Sequence, residues 1–406
     1  MGISQSLDIV GLYNQTTWAL ATLFKWFPYW GPIFFGLIFW KMWARYVQAQ
    51  YMANIKWVLL EIKVPKEIHK SPLAMEIVLN ALYQTSTGNW YDKYWKGKVK
   101  DSFSLEMVSI EGHIKFFIRA ASGYKNVIEA QLYGQYPDIE IYEVPDYTRY
   151  VDYRGKEGEW AIAAVEYGLT KADPYPIKTY VDYKLDSGLL KEEQKIDPLT
   201  SVIEYLGSAG KGEQIWIQIL VTGAGKRYTK KDGTLGDWKD EGKDEIKKLT
   251  GGDKKPDEVK PVAESDRNAA KEIERSLAKF GFDCGIRAMY LAKGDKFNAS
   301  HMKALGGLWR PFSTNNLNGF KPSDLTFGFD FPWQDYNDFR LEKKKKKFFN
   351  AFKYRSWFNV PRKLKPFVLN SEELATIYHF PGGVSQTPTF GRIPSRKSEA
   401  PVNLPI

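Results

Sequence analysis

Cysteine is nearly missing from these 406 residues, where Cys284 stands alone. A lone thiol excludes an intramolecular disulfide framework and fits a reducing compartment. Histidine is scarce as well: His69, His113, His301 and His379 lie far apart, and none belongs to an H-E-x-x-H or similar ligand pattern. No metal or cofactor is therefore expected. A phosphate loop is also lacking. G-A-G-K-R (223–227) has Leu220 where the motif needs its first glycine, and Arg227 where Ser or Thr must follow the lysine. G-S-A-G-K-G (207–212) fails in the same way at Gly212. The expectation is a non-enzymatic protein without a small-molecule substrate.

What the chain has in quantity is aromatic and basic side chains. Hydrophobic residues make up 43% and aromatics 15%, enough for packed cores. The net charge is +10, with a pI near 9.1. That charge is local. Arg340 to Lys365 holds eleven basic residues against Glu342 alone, which equals the excess of the whole chain. In this segment Arg340, Lys343, Lys344, Lys345, Lys346, Lys347, Lys353 and Arg355 interleave with aromatics. They form a candidate lipid or phosphate contact. Cations beside inserted aromatics suit an anionic membrane, and cations beside stacking rings suit single-stranded nucleic acid. A solvated patch whose aromatics pack at home is the third alternative.

Near the amino terminus, WFPYWGPIFFGLIFWKMW (26–43) carries one charge, Lys41. Eighteen residues at ~1.5 Å rise reach roughly 27 Å, just adequate for a bilayer core. Trp26, Tyr29 and Trp30 at one end and Trp40 and Trp43 at the other resemble two interfacial belts, with Phe34, Phe35 and Phe39 between them. Residues 1–24 contain only Asp8, without the basic start of a signal peptide. Lys41 near the end of the stretch, with Arg45 and Lys56 beyond it, places the bulk of the chain on the cytosolic side. The expectation is a single-pass anchor over residues 1–54 in the inner (cytoplasmic) membrane.

Alternating and helical periods then predict two repeats of a β-α-β-β-α-β order. Strands fall at 55–65, 103–110, 113–120 and 139–144, helices at 71–84 and 124–136, and Glu111-Gly112 is a two-residue hairpin turn. This pattern predicts a ferredoxin-like domain over 55–150. A second α+β domain of the same type is expected over 151–310. Its strands are placed at 159–169, 177–183, 214–224 and 284–294, and its helices at 197–209, 263–282 and 298–309. Residues 225–262, dense in Lys, Asp, Glu and Gly, are expected to form a charged mobile loop. From 311 to 406 periodicity fades into an irregular basic-aromatic segment and a Pro-rich tail. The predicted class is thus α+β, with a transmembrane helix, two ferredoxin-like modules and an irregular carboxyl-terminal tail.

The runs VLLEIKVPKEIHKSPLAMEIVLNALYQ, SLEMVSIEGHIKFFIRA and VIEAQLYGQYPDIEIYEV, with NNLNGFKPSD, LNSEELATIYHFPG and PVNLP later, resemble the region preceding the motor domain of conjugation-type (type IV secretion) ATPases of Patescibacteria type. In that family the pattern continues into a nucleotide site, which these residues do not contain. The resemblance implies a scaffold subunit that docks a separate P-loop ATPase motor and assembles as a homo-oligomer. A membrane-tethered nucleic-acid-binding protein is the alternative.

Overall fold

The computed structural model describes residues 9–65, 70–86, 88–187, 196–230, 233–251, 263–326, 331–359 and 362–382. The chain divides into two compact units. The first is built on α1 (Ile9–Asn54), a helix of 46 residues, together with α3 (Trp90–Tyr94). At ~1.5 Å per residue α1 is about 69 Å long. Pro28 and Pro32 lie inside it, each removing one backbone donor. α3 is a single turn held by a reciprocal cap between Asn89 and Asp92. It sets Trp90 and Tyr94 against Trp40, while Trp95 meets Trp43.

The expected membrane anchor is not borne out. Among the described residues no helix is long and apolar enough to cross a membrane. Only Ile33–Phe39 is a dense apolar run, and the Trp, Tyr, Pro and Gly residues on either side dilute it. Trp and Tyr are amphipathic, and at this density they lower the hydropathy of the span instead of only marking its ends. The inner-membrane placement and the single-pass description fall with the anchor.

The second unit is organised by one nine-stranded sheet in which, among the described residues, every strand pairing is antiparallel. Its strands are β1 (Trp57–Lys63), β2 (Phe103–Ile110), β3 (His113–Ala121), β4 (Glu140–Glu143), β5 (Trp160–Leu169), β6 (Glu213–Gly223), β9 (Gly281–Lys293) and β10 (Phe320–Leu325), with β11 (Phe367–Asn370) added beside β9. The order is β10-β5-β9-β6-β2-β3-β1-β4. Two separate ferredoxin-like modules are therefore not what forms. β2 pairs with β6 over Phe103–Ile110, so the two halves share one continuous ladder. The β2–β3 turn does form as expected, with positive φ at Glu111 and Gly112.

Helices α2 (Leu73–Ala81), α4 (Lys125–Gln135), α5 (Leu199–Gly207), α8 (Ala299–Gly307) and α10 (Ser371–Ile377) contribute to one apolar core on the sheet. Leu60, Leu105, Ile118, Ile217, Ile286 and Val165 come from its strands, and Met75, Ile128, Ile203 and Leu305 from the helices. On the opposite face lies α9 (Phe339–Lys353), which buries Phe348, Phe349 and Phe352 against Trp216 and Phe117.

Three further expectations change. Residues 177–183 form irregular turns, not a strand, because Ile177 and Tyr180 donate their N–H groups to side chains of α10. Part of the segment taken as a charged loop is ordered: β7 (Tyr228–Thr229) and β8 (Leu235–Gly236) form a small ladder that leads into α6 (Trp238–Thr250). Asp237 caps α6, Trp238 anchors it, and α6 packs on α7 (Glu264–Leu277). Residues 252–262 lie outside the described set. The region after 310, expected to be irregular, contains β10, α9, β11 and α10, whereas the Pro-rich tail from 383 onward lies outside the described residues.

Candidate interaction surfaces and the ionic layer beneath

The lysine run folds as α9 because Lys and Phe lose little in a helix when one face is buried. That face carries Phe348, Phe349, Ala351 and Phe352. Of the predicted phosphate contacts, Lys344 pairs with Asp324 at 2.6 Å and Lys345 with Glu342 at 2.9 Å. Arg340 is tied to the carbonyl of Gln334. Lys343, Lys346 and Lys347 are exposed and Lys353 is half-buried, and none of these four forms an ion pair among the described residues.

Arg355 is different: it is buried and unavailable to any outside phosphate. Its Nε donates to Glu106 Oε1 at 2.9 Å and its Nη2 to Glu106 Oε2 at 3.1 Å, and it also pairs with Asp146. Its backbone has a positive φ of 50°, a conformation held by this network and by the end of α9. Glu106 also accepts from Ser104, Tyr147 and Gln218. Burial opposes the Glu106 charge, but Arg355, Ser104 and Tyr147 outweigh it and hold the carboxyl below its ordinary range.

Glu106 begins a row. Glu106, Gln218, Arg287 and Glu166 sit opposite one another on β2, β6, β9 and β5, all on the α9 face of the sheet. All four are buried. The segment after α9 roofs the row: Ser356 accepts from Arg287 Nη2 at 2.6 Å, and Arg362 reaches Glu166 at 2.7 Å. Burial, helped by repulsion from Arg362 and Arg355, pushes Arg287 down to about 9 despite Glu166 beside it. Burial raises Glu166 above its ordinary value, against the pull of Arg287 and Arg362. Nε and Nη1 of both Arg287 and Arg362 lack hydrogen-bond partners among the described residues, so this layer is costly. Gly285 completes it, leaving the space that the Trp357 indole occupies. Sequence reading found none of these partners. An isolated Glu, Gln or Arg within an apolar strand was the only available signal.

The remaining predicted residues fall in α1. Trp26, Tyr29, Trp30, Phe34, Phe35, Phe39 and Trp40 are exposed, while Trp43 is half-buried. They line a long helix on several sides, together with exposed Ile33, Leu37, Ile38 and Met42.

Cys284 is buried on β9, opposite Phe367 of β11, and burial pushes its thiol up. His379 is enclosed: its Nδ1 lies 2.9 Å from the Ala375 carbonyl and its Nε2 3.0 Å from Asp197. Two acceptors facing two ring nitrogens favour the imidazolium. Burial opposes that charge, but Asp197 and the carbonyls raise the His379 pKa. His301 stacks on Tyr290 and His113 is exposed, while His69 lies outside the described residues. Among the described residues no group of His, Cys, Asp and Glu is arranged to hold a metal ion.

Among known families, the one described as Domain of unknown function (DUF8128) matches residues 47–391. No curated protein matches the chain.

Proposed function

The chain belongs to the DUF8128 family, and we propose that it acts as a non-catalytic assembly subunit. In this reading α1 associates with α1 of further copies, and the sheet-bearing unit presents a docking surface to a P-loop ATPase motor of a type IV secretion or conjugation-like machine. The observation that carries the assembly is the exposed apolar surface of α1. Phe34, Phe35, Leu37 and Phe39 are each at least half exposed within one short run. Contiguous apolar patches of this kind mark interaction sites. Burying them against identical helices recovers about 25 cal/mol per Å², and a closed symmetric ring satisfies every copy equally. The motor partner rests on the resemblance of residues 57–145 and 310–406 to the region that precedes such motors.

The test is the mass of the full chain in solution, measured by sedimentation. The wild type is expected as a discrete multimer, and a Phe34→Ser, Phe35→Ser, Phe39→Ser triple variant as a folded monomer. A wild type that is monomeric at micromolar concentration overturns the assembly. Failure of the multimer to retain a purified P-loop ATPase of the type IV secretion class overturns the docking half alone.

A further inference from the structure

The outward face of α9 has a composition that the assembly reading does not use. Successive positions one turn apart, Phe339, Lys343, Lys346, Asn350 and Tyr354, fall on one side of the helix, with Lys347 beside them. All are exposed, Phe339 at 71% and Tyr354 at 62%. The stripe is opposite the buried Phe348 and Phe352 and contains no acid. Glu342, the acid within α9, lies off the stripe, where it accepts from Lys345 and Tyr153. Asp324 is paired with Lys344 and Asp338 with Lys156. Just before the helix, Trp333 is 79% exposed and Tyr336 88% exposed. Phe331 stacks on Trp333 with centroids 4.8 Å apart and planes 12° apart, which holds that ring flat against its neighbour.

We propose that this surface binds single-stranded nucleic acid. Lys343, Lys346 and Lys347 would meet phosphates, and Trp333, Tyr336, Phe339 and Tyr354 would offer faces to unstacked bases. From Phe339 to Tyr354 the stripe runs about 22 Å, long enough for several nucleotides. A cationic track punctuated by open aromatic faces is the chemistry of sequence-tolerant single-strand binding. A duplex hides its base faces and could use the lysines alone. The stripe is rigid because its buried side is pinned: Phe348, Phe349 and Phe352 are in the core, and Arg355 locks the helix end to Glu106. The proposal depends on α9 and its approach, not on α1, so it survives a failure of the assembly reading.

The test is fluorescence anisotropy of the full chain with a labelled oligothymidylate of roughly 12 nucleotides, repeated with a duplex of equal length and across a salt series. The single strand is expected to bind more tightly, with a log–log salt slope of about −2 for three lysine contacts. Lys343→Gln with Lys346→Gln should flatten that slope by about 1.4. Trp333→Ala and Tyr336→Ala should each weaken binding between about 5- and 150-fold with the slope unchanged. All four side chains are exposed, so thermal unfolding of the variants should match the wild type and separates a lost site from a lost fold. No binding at low salt overturns the proposal, as does binding indifferent to these variants. Equal affinity for duplex with no aromatic effect also overturns it, leaving only a polycation. Capture by phosphatidylserine vesicles but not by the oligonucleotide overturns it in favour of a lipid surface.

Discussion

The two faces of the nine-stranded sheet solve the same packing problem with different chemistry. On one side Leu60, Leu105, Ile217, Ile286 and Val165 meet Ile128, Ile203, Leu206 and Leu305 in a continuous apolar core. On the other, aromatics surround a buried ionic row from Glu106 to Glu166 that is roofed by α9, Ser356 and Arg362. The apolar face gains free energy from any well-shaped contact. The ionic face gains little net, because desolvating each charge cancels most of the attraction, and an unpaired member is heavily penalised. What the ionic face supplies is register. Arg355 can satisfy Glu106 and Asp146 together in one placement of the α9 end, so the outer stripe is presented at one fixed orientation. This difference teaches where substitution should hurt most.

The largest effect is expected at the centre of the ionic row. Arg355→Met leaves Glu106 buried without its cation and should lower unfolding free energy by about 3–5 kcal/mol in denaturant titration. Adding Glu106→Gln should recover part of that loss, since the uncompensated charge then disappears. If the single variant cost less than about 1 kcal/mol, Arg355 would be a surface cation after all. The contrast between the two faces would then collapse.

Next comes the apolar face. Leu206 is fully buried on α5, and Leu206→Ala should cost about 2–5 kcal/mol, depending on how far the neighbours close over the cavity. No partner substitution at a single site should rescue it, whereas Glu106→Gln rescues Arg355→Met. This difference in rescue sharpens the comparison more than the two magnitudes do.

The legible parts of the molecule follow from the same contrast. Apolar-face elements declare themselves by period, so the strands at 57–63, 103–110 and 213–223 and the helices at 73–81 and 199–207 fall within a few residues of expectation. The Glu111-Gly112 turn fixes its hairpin because two positive φ values suit few residues. The joining of the halves was not legible. β2 would be an edge strand in an isolated module, and the ladder it offers β6 consists of backbone groups that leave no mark in side-chain order. The ionic row was equally hidden, because Gln218 and Arg287 find partners more than sixty residues away in sequence. α6 lies in a segment whose charge density reads as disorder, and α9 in one whose consecutive lysines obscure the helical period, although Trp238 and three phenylalanines anchor them. The exposed aromatics of α1 point by composition to a bilayer that the hydropathy does not support.

A subtler effect is expected where α10 closes over the apolar face. His379 and Asp197 form a buried pair linking the end of α10 to the start of α5. The folded pKa of His379 is raised, so its contribution is fully present below the unfolded value near 6.5 and is lost as pH rises through the folded value. Glu373 acts in the same direction: burial pushes its carboxyl up to about 8, so ionising it above the unfolded value opposes the fold. Unfolding free energy should therefore fall as pH rises in the wild type, through Glu373 from about 4.5 to about 8, and more steeply above 6.5, where His379 adds its share. The decline should be shallower in His379→Gln, with the Glu373 share remaining. Identical slopes would show that His379 is neutral in the folded protein.

The smallest effect should come from the ion pair on the outside of α9. Lys344 and Asp324 lie 2.6 Å apart, closer than most pairs in the ionic row, yet their side chains are 35% and 37% exposed. Distance alone would rank this contact above Arg355–Glu106. Solvent exposure reverses the order, because water screens both charges before and after they meet, and holding a long lysine side chain in place costs rotamer entropy. Asp324 also keeps a second cation, Arg362 at 3.3 Å, when Lys344 is removed. Lys344→Ala should therefore change unfolding free energy by less than about 1 kcal/mol. It should also leave the nucleic-acid stripe intact, since Lys344 lies off it. A loss comparable to that of Arg355→Met would mean that α9 is held from outside as firmly as from beneath. Register would then belong to the surface pairs, and the buried row would have to be explained by something other than positioning α9.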